Sequence, residues 1–522
     1  LTSGTNNVVI GSAAYDNGTS GDRNVVIGEN AAGGGTMTGA VDDSVLVGYR
    51  AGYKLIDGFY NVYIGSNAGY NNTTDNQNVG IGYQALYTDG GEHGGNTAIG
   101  NQALMNQSGS IGGRMENTAV GAGAGGNLTT AVRSTFVGTN AGIAVTTGGY
   151  HTMVGWRAGY STTTGYSNTF LGNYAANTNT TGYNNVAVGI QAMYGGTVAH
   201  TSVAVGRDSL YYLGATAGAG NSVGVGDGAG KYATGSYNTF VGSQAGLGGT
   251  TSAPYSSGTS NTAVGKSAFT AFTTGYSNTV MGVNAGDAIT TGYENTIIGQ
   301  AAGTNLVGGN NNVMIGQLAG YTTTGVSGTV IIGEQAGYTG NMTSDADGTV
   351  SIGSGAGKNI TSGIGNVSVG FGALTTENDG DFNTAIGYQA LAAQTGVSGE
   401  VGNTAVGYQA GLALTAGTQN TVMGYQAGKA LLGGGTNTII GSEAGKSVNN
   451  GGSNTIIGRH SAYSLTSGDD NVAIGVFALY TGTTQSDNVA VGRGALQYIR
   501  GDDSVAVGYQ SGLYATGSNN TF

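Results

Sequence analysis

The chain has 522 residues with a formal net charge of −12, and 105 of them are glycine, one is proline and none is cysteine. Glycine is not spaced every third residue, which excludes collagen, and the absence of cysteine excludes a disulfide framework and thiolate chemistry. The acidic balance argues against nucleic acid as a partner, no apolar run is long enough for a membrane-spanning helix, and 31 tyrosines with 39% hydrophobic residues argue against simple disorder.

Length alone suggests roughly three globular domains. No linker or composition shift divides the chain, however, and a repeat explains it better. The unit reads N-[T/V]-x-[V/I]-G-x-x-A-[G/L], followed by a polar connection. In chain order its glycines begin at Gly11, Gly28, Gly48, Gly65 and Gly82. From Gly121 to Gly206 every step is 17 residues, after which Gly226, Gly242 and Gly265 follow at irregular spacings, with Pro254 in the longest connection. The 17-residue step then resumes to Gly333, is broken by 20-residue steps to Gly353 and Gly407, and ends at Gly508. Of 28 spacings, 19 are 17 residues, so 17 is the coil and the rest are insertions in its connection.

Gly, Asn and Thr disfavour helix, and β-branched residues bounded by Gly and Asn read as short strands. Seventeen residues at about 3.3 Å each suit a flattened coil with two short strands and two tight corners. The expected fold is therefore all-β: one continuous parallel β-solenoid over residues 1–522, with 29 to 30 coils. Residues with strand period two share a face. The aliphatic residue before each glycine (Ile99, Val137, Leu171) and the Thr or Val two earlier are assigned to the core. The central residue between them (Ala119, Phe136, Met153, Phe170) is apolar in 25 of 29 copies, which places it against a partner chain in a homo-oligomer, most plausibly a trimer. The alternative is one wide coil whose interior takes both faces. Ala or Ser three residues after the glycine marks a corner too tight for a larger side chain. The Asn four residues before it (Asn168, Asn278, Asn295) suits an amide ladder. Tyr388, Tyr408 and Tyr425 form an exposed row, read as packing in preference to a sugar platform.

Units such as Ser504-Val505-Ala506-Val507-Gly508 and Asn471-Val472-Ala473-Ile474-Gly475 resemble the head repeats of YadA-type trimeric autotransporter adhesins. Copies reading N-T-A-V-G-Y-Q-A-G, as at 403–411, resemble repeats of phage tail-fibre proteins. The resemblance covers essentially the whole chain. It implies a trimeric parallel β-roll and a role in attachment, with a cell-surface glycan or receptor as partner.

Catalytic chemistry needs a local exception to the repeat. His93, His151, His200 and His460 are scattered, and His151 occupies the Asn ladder position. The pairs Asp42-Asp43, Asp469-Asp470 and Asp502-Asp503 lack an oxygen-rich calcium loop and read as solvated corners. Gly80-Ile81-Gly82 is followed by no helix signal, so it is no phosphate loop. No catalytic, cofactor or metal site is expected. The leading reading is a non-enzymatic extracellular shaft, from a virion fibre or a cell-surface adhesin, that holds a binding tip at a distance. A self-assembling extracellular filament or matrix protein ranks second, and an ice- or carbohydrate-binding solenoid using the Thr-rich edge ranks third. The chain is also expected to be an excerpt of a longer fibre: Leu1-Thr2-Ser3-Gly4 resembles a connection, and Asn519-Asn520-Thr521-Phe522 opens a further unit.

Overall fold

The computed structural model describes residues 3–37, 39–88, 94–108, 113–215, 218–253, 255–395 and 398–522, so His93, Pro254, Leu1 and Thr2 lie outside the described residues. The chain divides into two compact units, Leu1–Ser260 and Asn261–Phe522, and each is a parallel β-solenoid. Every coil contributes one three-residue strand ending just before the motif glycine, such as Thr135–Val137, Thr152–Val154 and Thr169–Leu171. Successive strands pair in parallel and in register, with Phe136 beside Met153 and Met153 beside Phe170. Among the described residues the one short helix is a 3₁₀ turn at Ser344–Ala346.

The coil differs from the expected shape in having one regular strand rather than two. Its return side is built of turns. The residues two and four after the motif glycine take left-handed φ, for instance Gln102 at 57° and Leu104 at 49°. Even so, their backbone still bonds coil to coil: Gly142 N–H donates to the Ala158 carbonyl at 2.9 Å and Gly159 N–H to Ala175 at 2.9 Å. Elsewhere among the described residues two separate two-stranded pairs form, Val41–Asp42 with Gly58–Phe59 and Gly380–Asp381 with Gly399–Glu400, and isolated parallel bridges join His200 to Gly220 and Ala233 to Ser256.

The face assignment is reversed. The central residues Phe136, Met153 and Phe170 are fully buried inside their own coil, whereas outward neighbours such as Val120 and Met423 remain 36% and 39% exposed. The reason is the motif glycine. Gly155 sits at φ +133°, a region open in practice only to glycine. It turns the chain there, so strand parity does not carry through it. The central residue and the Ala five positions later, such as Met153 and Ala158, both point inward. From Val26 onward the central residues therefore form the core of each coil and are not available to a partner chain.

Core volume is balanced within the coil. Where the central residue is large, the position four after the motif glycine is usually glycine: Tyr63 with Gly69, Phe136 with Gly142, Met314 with Gly320. Where the central residue is small, leucine or another large residue usually takes that position: Ala98 with Leu104, Ala204 with Leu210, Ala490 with Leu496, all buried. A Cβ on Gly142 would lie 2.3 Å from Phe136 Cε1, so the two side chains compete for one space. Where both are small, neighbouring coils fill the gap: a Cβ on Gly125 would meet Leu104 at 2.8 Å and Phe136 at 3.0 Å.

Gly142→Leu should therefore lower the melting temperature through overpacking, by roughly 1–3 kcal/mol in stability. Adding Phe136→Ala should recover much of that loss, because Leu already occupies the same backbone position at Leu104. Additive losses in the double variant, measured by thermal unfolding, would contradict shared volume.

Candidate functional surface

The outward face of the strands is the most regular surface of each unit. In the first unit the residue before each motif glycine runs Ile10, Ile27, Val47, Ile64, Ile81, Ile99 and on to Val241, and in the second unit Val264, Met281, Ile298, Ile315 and on to Val507. The residue two earlier is Val or Thr in every coil, from Val8 to Val505. Neither column contains a charge, in a chain whose net charge is −12. The two columns form a largely β-branched strip, with Leu171, Met281 and Met423 the exceptions, and its residues are half-buried to exposed. Charged and polar residues occupy the edge beside it, at Arg23, Asp43, Glu116, Arg133, Asp470 and Asp487.

The aromatic rows lie at the other edge. Phe371, Tyr388, Tyr408 and Tyr425 stack at 5.2, 5.3 and 5.3 Å with interplanar angles of 11° to 13°. Beside them Gln409 Nε2 donates to Gln389 Oε1 at 3.0 Å, and Gln426 Nε2 to Gln409 at 3.1 Å. Rings stacked face to face turn their edges to solvent, so this row packs along the solenoid and offers a sugar few open faces.

The Asn ladder is real and buried. Asn278 Nδ2 donates both to Asn261 Oδ1 at 3.0 Å and to the Gly292 carbonyl at 2.8 Å, and Asn295 and Asn312 repeat the pattern. His151 stands in this ladder. Its backbone N–H donates to Ser134 Oγ at 3.1 Å, and its Nδ1 accepts from the Asn168 N–H at 3.4 Å. Burial pushes its imidazole down to about 4, against the opposing pull of its backbone partners at Gly165 and Asn168. His200 stacks on Tyr183 at 4.3 Å, and His460 Nε2 lies 3.3 Å from Glu443 Oε2. His151, His200 and His460 are not brought together, and among the described residues no three His, Cys, Asp or Glu side chains converge as a metal site.

Each acidic pair secures the preceding coil. Asp42 Oδ1 accepts from the Asp22 N–H at 2.7 Å, Asp469 Oδ1 from Gly452 at 2.7 Å, and Asp502 Oδ1 from Ser486 at 2.9 Å. Asp22, Asp347 and Asp381 do the same, a recurrence in the sixth position before the motif glycine that the sequence reading missed. The threonine edge is likewise spent internally: Thr129, Thr146, Thr163 and Thr180 each donate a hydroxyl to a carbonyl of the next coil. That weakens the ice-binding reading. Gly80 and Ile81 lie in strand Val79–Ile81 and Gly82 is the motif glycine that follows it, so this sequence stacks like any other coil. Glu377 is a buried exception, its carboxyl raised by desolvation while Oε1 accepts from Asn378 and Gly380 N–H at 2.9 and 2.8 Å.

The inserted connections of the first unit flank an open pocket of about 520 Å³ lined by Ala215, Ala219, Thr234, Ala253, Tyr255 and Ser257. Its lining is small and mostly apolar, with no titratable group other than Tyr255. No helix among the described residues is long and apolar enough to cross a membrane. No known family model matches the chain, and no curated protein or solved structure matches it significantly.

His151 gives a pH test. Its folded-state value lies below the ordinary 6.5, so the unfolded chain binds the proton more readily. Stability is then full above about pH 6.5 and falls as pH drops toward 4. Between pH 7 and 5 the loss should be about 2 kcal/mol in the coils around His151. His151→Asn, which restores the ladder amide, should remove that part of the dependence; hydrogen exchange of neighbouring amides at the two pH values measures it, and equal pH sensitivity in both proteins would contradict the assignment.

Proposed function

We propose that the chain is a structural shaft segment of an extracellular attachment fibre, and that it self-associates through the outward strand face. The observation that supports this most is the uncharged β-branched strip, repeated in every coil of both units. Monomeric proteins rarely expose contiguous apolar patches beyond a few hundred Å², and edge or surface β structure meant to stay single is normally broken by charge. Here charge is present at the neighbouring column but absent from the strip. A flat, in-register surface with one chemistry at each level suits an identical surface best, so the partner is a second and third copy of the chain. The role is structural rather than catalytic: side chains that carry chemistry elsewhere are spent here on joining coils. A self-assembling extracellular filament would use the same strip and is the second reading.

Val120→Asp, Val137→Asp and Val154→Asp together should dissociate the oligomer while circular dichroism and cooperative melting persist, because these side chains face outward. The single change Phe136→Asp should instead unfold the surrounding coils, since an unpaired buried charge costs several kcal/mol. Multi-angle light scattering decides it. A wild-type monomer at micromolar concentration would contradict self-association.

A further inference from the structure

The coil that closes on Gly155 carries a constellation found once in the chain. Trp156, the only tryptophan, follows that glycine and is 42% exposed. The Arg157 guanidinium carbon lies 5.0 Å from the Trp156 ring centre and 4.9 Å from that of Tyr160. One coil on, Tyr174 meets Trp156 edge to face at 4.5 Å. Backbone bonds hold the two loops together: Trp156 N–H donates to Asn173 Oδ1 at 3.3 Å, Tyr174 N–H to the Trp156 carbonyl at 2.9 Å, and Asn177 Nδ2 to the Arg157 carbonyl at 3.3 Å.

The surrounding charge is unusual as well. No Asp or Glu occurs between Glu116 and Asp208, although the chain is acidic overall. At either end of that stretch Arg133 is paired with Glu116 and Arg207 with Asp227. Arg157 has no carboxylate within ion-pair distance among the described residues, and its Nε is buried with no acceptor. A cation over tyrosine rings is by itself ordinary packing for this repeat, since Arg50 lies over Tyr49 and Tyr53 at 5.0 and 5.3 Å. Arg50, however, has no tryptophan beside it, although its Nε is likewise buried with no acceptor. Two features set Arg157 apart, an exposed indole and a long stretch of chain free of Asp and Glu on either side.

We propose that Trp156, Arg157, Tyr160 and Tyr174 form a binding site for an acidic sugar, a pyranose bearing a carboxylate. The planar guanidinium offers parallel N–H donors that match a carboxylate in bidentate geometry. The stacking rings hold its plane in place, so little side-chain entropy is lost on binding. The indole beside it, partly exposed, supplies an apolar surface for the C–H face of the sugar ring, and Asn173 accepts from the Trp156 backbone N–H below it. One cation suits one carboxylate; a polyphosphate backbone would call for several. The site rests on the attachment reading only in taking its ligand from a surface glycan.

Because Trp156 is the sole tryptophan, its fluorescence reports the site directly. The intact chain is titrated with N-acetylneuraminate and with galacturonate, using galactose and inorganic phosphate as comparisons. A saturable change with at least one sugar acid, absent with galactose, is the expected result. Arg157→Gln should weaken it about tenfold or more, as loss of a charge-assisted pair implies, and Arg50→Gln should leave it unchanged. Arg157→Lys, which keeps the charge and the fold but loses the fork, should also weaken it. No response to either acid, an equal response to galactose or phosphate, or undiminished binding by the Arg157 variants would overturn the proposal. Light scattering on the same samples separates the two readings, because failure of sugar binding leaves self-association standing.

Discussion

The approach of one backbone to the next at the motif glycine is the constraint on which the solenoid depends. At Gly155 a Cβ would lie 2.5 Å from the carbonyl oxygen of Gly172, and at Gly172 it would lie 2.4 Å from that of Gly189. Contacts this short recur through most of the glycine column. Any side chain there would prise neighbouring coils apart, and the φ near +133° would be strained in any other residue. The same glycine ends the strand, turns the chain and fixes which residues point inward. Strand length, corner geometry and core composition all follow from it.

Within that frame the coils are joined by many modest interactions rather than a few strong ones. Parallel three-residue strands, the Asn ladder, the Thr hydroxyls and the Asp carboxylates each link one coil to the next. Single contributions of this kind are worth about 1 kcal/mol, and their sum is spread along each unit, as nearest-neighbour stacking requires. Without cysteine the fold has no disulfide to add to them. The exceptions to the repeat are therefore informative. His151 preserves the ladder because Nδ1 can accept where an Asn Oδ1 would, and Ser134 and Ser202 preserve it with a hydroxyl. Trp156 and Arg157 preserve the backbone of the coil while changing what it shows to solvent.

The repeat, its length and the all-β parallel class were legible in the sequence, because a recurring glycine and a constant spacing leave few other folds. The amide ladder through Asn168 and Asn278 and the small Ala158 position were legible for the same reason. The direction of the strand faces was not. Both faces of Thr135-Phe136-Val137 are apolar, so alternation separates them without saying which is inside, and parity read through Gly138 gives the wrong answer. The signal that does decide it is reciprocal size: Phe136 with Gly142 and Ala98 with Leu104 trade volume, which only residues sharing an enclosed space need to do. The Trp156 cluster was hidden for another reason, since its members are drawn from two coils and the missing acidic partners are an absence spread over a long stretch.

The central claim is that close packing at the motif glycine, rather than glycine content in general, holds the coils together. Two alanine substitutions separate these. At Gly155 the added Cβ would meet the Gly172 carbonyl, whereas at Gly325 it would meet nothing within 4 Å and φ is not left-handed. Thermal unfolding followed by circular dichroism should show Gly155→Ala strongly destabilised, with Gly325→Ala unchanged or slightly more stable from a less flexible unfolded chain. Equal melting temperatures for the two variants would contradict the account.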